Sequence, residues 1–121
     1  MNIVTNYTGI ECFEHEDMLE WGTAFEFFDG DAITFFSEKV GNQIRFFDGQ
    51  NTVWHLSSVG LELNDKTINN LKNQIKDSGV IYENGDLSYS APIEHLNDAF
   101  SLYLKTLLKI SDWEASTVNQ Q

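Results

Sequence analysis

The sequence predicts an α+β fold: an antiparallel sheet, made of a three-strand meander plus an Asn-Gly hairpin, packed against about three to four helices. Three observations predict it. Short aromatic and β-branched runs are punctuated by the turn pairs Asp29-Gly30, Gly41-Asn42 and Asn84-Gly85. Residues 64–78 and 93–113 repeat apolar side chains at steps of three and four, the period of a half-buried helix. The stretch Ile44–Leu63 passes from an apolar strand through a turn into an amphipathic helix, which ties a sheet layer to a helix layer.

Taken in order, Ile10, Phe13 and Asp17 fall on helical spacing, Thr8 is placed to cap, and a short helix is expected over Ile10–Met18. Ala24–Phe28 is an aromatic strand, and Asp29-Gly30 turns it back, because glycine adopts positive φ without steric cost. Asp31–Lys39 follows as a strand with Ile33 and Phe35 on one face and Ala32, Thr34 and Phe36 on the other, and Gln43–Phe47 completes the meander. The phenylalanines at 25, 27, 28, 35, 36, 46 and 47 populate both faces. An open face would expose some of them and mark a contact surface; helices or a second copy would bury them.

Asp48-Gly49 ends the third strand, Asn51 or Thr52 caps the next helix, and Val53, Leu56 and Gly60 follow at helical steps. Asn64–Ser78 is a second helix, capped by Asn64 or Asp65, with Ile68, Leu71 and Ile75 on its buried face. Val80–Ser90 is the Asn84-Gly85 hairpin. Pro92 opens the longest helix, Ile93–Trp113, whose stripe is Ile93, Leu96, Phe100, Tyr103, Leu107 and Ile110. Glu114–Gln121 is polar and expected to fray, so the chain reads as one domain over residues 1–121.

Several of these residues also carry a resemblance. Gly30-Asp31-Ala32-Ile33 begins it; Arg45, Phe46, Asp48, Thr52, Leu56 and Gly60 continue in step without a gap; Leu107-Leu108-Lys109-Ile110-Ser111-Asp112-Trp113 closes it. The whole resembles an uncharacterised domain family of bacterial and phage proteins, with a Gly-Asp-x-Ile strand, an Asp-turn and a Thr-x3-Leu-x3-Gly helix. The likeness covers roughly residues 20–113 and departs at Phe47, Gly49 and Gln50, where the family carries Thr, Asp and Gly. It implies a shared fold and a bacterial or phage setting, and it brings no catalytic residues.

Composition narrows the function class. With 41% apolar and 13% aromatic residues, 121 residues suffice for a packed core. The single cysteine, Cys12, excludes an internal disulfide, and no apolar run reaches the ~20 residues of a membrane helix. The first residues lack a basic segment followed by an apolar one, so the expected location is the cytoplasm of a bacterial host cell. Net charge is −12, and its distribution is uneven: residues 1–38 hold nine acids and no Lys or Arg. Such a chain repels nucleic acid, whose binding relies on Lys and Arg displacing counterions, and is steered toward basic surfaces. A merely solubilising role is the bland alternative.

Chemistry-bearing constellations are sparse. Cys12 and His15 form half of a zinc pattern with no second half nearby, so no metal and no cofactor is expected, and a small buried thiol is the default for Cys12. Asp29, Asp31 and Glu38-Lys39 faintly match a metal-dependent nuclease core, but adjacent Glu38 and Lys39 point to opposite sheet faces. Asp48 and His55 are a conceivable acid–base pair; the simpler expectation is that Asp48 shapes a turn and His55 lies on the helix surface. No catalytic residue is therefore assigned. The expected function is a non-enzymatic acidic module binding a basic surface of another protein through Glu11, Glu14, Glu16, Asp17, Glu20, Glu26, Asp29 and Asp31. A concrete form is a phage or mobile-element inhibitor whose carboxylates mimic nucleic acid toward a bacterial defence complex. The alternatives are a homo-oligomeric structural or small-ligand-binding domain, with a homodimer formed through the aromatic faces, and a nuclease.

Overall fold

Turn chemistry and strand pairing lay out the sheet. The computed structural model describes residues 2–7, 10–27 and 30–119. Among them, strands β1 (Asn2–Tyr7), β2 (Ile10–His15), β3 (Met18–Glu26), β4 (Ala32–Val40), β5 (Gln43–Phe47), β6 (Ile81–Glu83) and β7 (Asp86–Pro92) form one antiparallel sheet. Its order is β1-β2-β3-β4-β5-β7-β6. Helices α1 (Asn51–Ser58), α2 (Asp65–Ile75) and α3 (Leu96–Asn119) complete the α+β fold. The Asn84-Gly85 hairpin forms as expected, with both residues at positive φ, 53° and 84°.

The meander is longer than the sequence reading has it, and the helix expected over Ile10–Met18 is replaced by β2, a turn and the start of β3. Period two wins over period 3.6 here because pairing partners lie on both sides. Cys12 stands opposite Trp21, and Trp21 opposite Phe35, so this row faces the helices. Cys12 is fully buried there, and burial, followed by the charge of Glu14, raises its thiol pKa. The frayed tail expected from residue 114 is also corrected. Helix α3 continues through Asn119, because Glu114 is 0% exposed and bonded inside the fold.

One sheet face carries the core. Ile33, Phe35, Ile44, Phe46 and Leu87 from the strands are buried against Leu56, Leu71, Ile75, Tyr103 and Leu107 from the helices. Tyr103 stacks on Phe46 with centroids 5.7 Å apart and donates its hydroxyl to the Leu87 carbonyl at 2.5 Å. The phenol is thereby both packed and satisfied, and burial raises its pKa well above the usual tyrosine value.

The opposite face alternates out of the same strands. Phe13, Glu20, Phe36 and Phe47 form one cross-strand row on it. Phe36 and Phe47 stack at 5.5 Å, with the Arg45 guanidinium 4.7 Å above Phe47. These two rings are half-buried, Phe25 is 45% exposed, and Phe27, Phe35 and Phe46 are buried. Phe28 lies outside the described residues.

The start of α1 departs from the expected cap. Gln50 precedes the helix in the left-handed region at φ 69° without a side-chain cap bond. Asp48 supplies the acceptor instead: Oδ1 takes the Gln50 and Leu87 amides at 3.1 and 3.0 Å, and Oδ2 takes the Thr52 amide at 3.0 Å. One carboxylate thus pins β5, α1 and β7 together. Helix α2 is capped as expected, Asn64 accepting from the Thr67 amide at 2.9 Å.

Candidate functional site: a carboxylate-rimmed groove

Strands β2 and β3 are joined by the two-residue turn Glu16-Asp17, with Glu16 at a left-handed φ of 23°. A turn this tight holds both exposed carboxylates at the end of the hairpin. Glu14, opposite Leu19, lies on the helix-facing side beside them and is also exposed. Helix α3 starts only at Leu96 and leaves this corner of the sheet uncovered. The result is a groove of about 380 Å³. Leu19, Trp21 and Ile44 from the strands, with Ile93 and Leu96 from the chain entering α3, form its apolar part. Glu14, Glu16, Asp17 and Glu38 bring four carboxylates to it against the single ammonium of Lys39.

The floor is rigid. Trp21 donates its indole N–H to Ser37 Oγ at 2.9 Å and meets the Phe100 ring edge-on at 5.0 Å. Glu38 is partly neutralised by Arg45, 3.3 Å away on the open face. A low-dielectric floor under unbalanced carboxylates concentrates negative potential over an apolar surface.

The eight acids named from the sequence therefore divide. Glu14, Glu16 and Asp17 gather on the groove. Glu11 and Glu20 lie on the open sheet face, where Glu20 is bonded to His15 Nε2 at 2.8 Å. Glu26 is exposed at the far end of β3. Asp29 lies outside the described residues. Asp31 stands at the opposite end of the β3–β4 pair, 2.9 Å from His55 Nδ1. Sequence reasoning missed the apolar floor, and its signal was present: Met18 and Leu19 interrupt the acids of residues 14–20, and Trp21 follows them.

The expectation that His55 lies on the helix surface is corrected. It is 5% exposed, its Nε2 is bonded to Glu114, and the Phe27 ring stacks on it at 3.9 Å and 14°. With both ring nitrogens engaged by carboxylates, neither is offered to a substrate, so this histidine clamps β4, α1 and α3 together. Asp48 does shape the turn, and its carboxylate is bonded to main-chain amides instead of His55. Burial, then a hydrogen bond with Asp86, pushes its pKa up to about 6.

Of the nuclease pattern, Asp31 precedes β4 and Glu38 lies near its far end, about 23 Å apart at strand rise, and Asp29 lies outside the described residues. Among the described residues, no three His, Cys, Asp or Glu side chains are grouped to hold a metal ion. Among them, too, no helix is long and apolar enough to cross a membrane.

The family model for the domain of unknown function DUF1828 matches residues 23–110. No curated protein and no solved structure matches the chain. The matched span begins inside β3 and ends inside α3, so it holds the β4–β5–α1 centre and Asp48, while Glu14, Glu16 and Asp17 lie ahead of it. With most of its length covered, the chain belongs to the DUF1828 family.

Proposed function

We propose that the chain is a non-enzymatic protein-binding module that receives a basic, amphipathic segment of another protein in the groove at the β2–β3 turn. The observation that carries this reading is the pairing of four carboxylates with an apolar floor in one cleft. A partner segment that places an apolar side chain on Leu19 and Trp21 and flanks it with Lys or Arg satisfies both parts. Charge of −12 steers such a partner in and disfavours direct contact with nucleic acid.

In its finer form, the module acts in the cytoplasm of a bacterial cell as a phage or mobile-element inhibitor, its carboxylates standing in for phosphates before a nucleic-acid-binding defence complex. The uncovered sheet face supports a second reading, self-association through Phe36 and Phe47, with Val40 at the end of β4 and Ile81 on β6 exposed by 56% and 57%.

The test is binding of a short Lys/Arg peptide with one central Leu, followed by calorimetry at two salt concentrations. Joint reversal of Glu14, Glu16 and Asp17 to Lys should abolish binding, and raising salt should weaken it in the unmodified chain. Unchanged affinity after the triple reversal at low salt refutes the proposal. Light scattering that shows a concentration-dependent dimer, lost on Phe47→Ser, favours the second reading.

A further inference from the structure

Glu38, one of the four carboxylates of the groove, shares the Arg45 guanidinium with an acid on the other side of β5. Nη1 of Arg45 is 3.3 Å from Glu38 Oε1, and Nη2 is 3.2 Å from Asp86 Oδ2. Asp86 is in turn hydrogen-bonded to the buried carboxyl of Asp48. We infer that a proton held between Asp48 and Asp86 regulates the groove through Arg45. While the proton is bound, Arg45 covers Glu38; when it leaves, Arg45 is drawn to Asp86 and Glu38 is released to a basic partner. The inference rests on the reading of the groove as a receptor for a basic segment, and it adds control by pH to that site.

Two carboxyl groups bond each other only while one of them carries a proton, because a carboxylate is an acceptor alone. Loss of that proton puts a second negative charge beside Asp86. Asp48 is 0% exposed, so water screens the new charge poorly. The guanidinium stands in close balance between its two partners. The distances are nearly equal, the side chains are 25–35% exposed, and ion pairs of that kind are individually weak. One added charge on the Asp86 side therefore tips the balance. The groups around the acid pair leave Arg45 to answer it. Glu83 on β6 lies opposite Asp86, and Tyr103 from α3 donates to the Leu87 carbonyl with its pKa raised well above the usual value. Helix α1 offers Asp48 the amide and hydroxyl of Thr52, while its His55 is turned to Asp31 and Glu114. Burial, followed by the Asp86 hydrogen bond, places the Asp48 pKa at about 6, so the proton exchanges near neutrality. A cleft of about 360 Å³ lined by Arg45, Glu83, Asp86 and Ser88 opens the pair to solvent through the Asp86 side chain.

The experiment uses the whole chain, labelled with carbon-13 and nitrogen-15, with the Glu38 carboxyl carbon and the Arg45 Nε–H followed by NMR as pH is raised. Both signals should show a step near pH 6, and the Glu38 step should vanish in Arg45→Gln. Calorimetry with the Lys/Arg peptide carrying one central Leu reads the consequence at pH 5 and 7.5. At pH 5, Arg45→Gln should bind about two- to fivefold more tightly than the unmodified chain, because its Glu38 is already released. At pH 7.5 that gap should close. Comparing the two chains at the same pH cancels the titration of the histidines. Asp86→Asn should have the opposite effect, weakening binding at pH 7.5 by about the same factor. The amide spectrum of each variant reports that the fold is kept.

A Glu38 signal without a step near pH 6, or an affinity gap between Arg45→Gln and the unmodified chain that is as large at pH 7.5 as at pH 5, overturns the inference. The relay and the groove fail separately. Peptide binding without a Glu38 step leaves the groove standing and overturns the relay. A Glu38 step in a chain that binds the peptide at neither pH supports the relay and refutes the groove.

Discussion

Replacing Asp48 with Asn should remove a specific pH dependence from the stability of this protein. Asp48 is 0% exposed, and its pKa is raised from 3.8 to about 6 by burial and then by Asp86. The folded state therefore binds a proton more tightly than the unfolded chain. The stabilisation is fully present below about pH 4 and is lost as pH rises through about 6. A difference of roughly two pKa units corresponds to about 3 kcal/mol at neutral pH. The substituted amide would keep one oxygen for the Gln50 and Leu87 amides and would turn its NH₂ toward the Thr52 amide, a clash of donors that costs about 1–3 kcal/mol at every pH.

Urea denaturation of both proteins between about pH 4.5 and 7.5 reads the difference for Asp48 together with its hydrogen-bonded partner Asp86, because the remaining carboxylates cancel in the comparison. At the acid end Asp48→Asn should be clearly less stable than the unmodified chain. The gap should shrink by about 2 kcal/mol toward the alkaline end, the part of the linkage that falls inside this window. A gap that stays constant across the range, or widens with rising pH, would refute the claim that Asp48 carries its charge at a cost in the fold.

Three further outcomes follow from the same structure. His55→Ala should destabilise by about 3–5 kcal/mol, seen as a lower urea midpoint, because it takes the imidazole from the fully buried Glu114; a loss below about 1 kcal/mol would show that the clamp is dispensable. Tyr103→Phe keeps the ring stack on Phe46 and strands the Leu87 carbonyl, so a loss of about 1–2 kcal/mol is expected in the same assay. The Glu14, Glu16 and Asp17 reversal should leave the urea midpoint nearly unchanged, within about 0.5 kcal/mol per exposed position, so that lost peptide binding reports the groove alone.

Much of the fold was legible from residue order alone. Asn84-Gly85, the alternation of Ile33 and Phe35 with Thr34 and Phe36, the Asn64 cap and the stripe from Ile93 to Ile110 each express themselves within one or two turns of chain. Residues 10–19 misled because Ile10, Phe13 and Asp17 satisfy a helical step as well as a strand does, and only pairing with β3 decides between them. The groove was half legible. Its acids stood out by charge, whereas its floor required knowing that Ile44, Ile93 and Leu96 come beside Leu19 and Trp21.

His55 shows the division most sharply. Its nearest charged partners, Asp31 and Glu114, are 24 and 59 residues away in the chain, and no local pattern announces such a meeting. Composition, charge, turns and helix periods were determined by the sequence itself, since each depends on neighbours a few bonds away. Which carboxylates gather on a groove, which are tied to a buried histidine, and which sheet face stays bare were decided only by tertiary packing. Those outcomes depend on the order of strands in the sheet and the place where α3 begins to cover it.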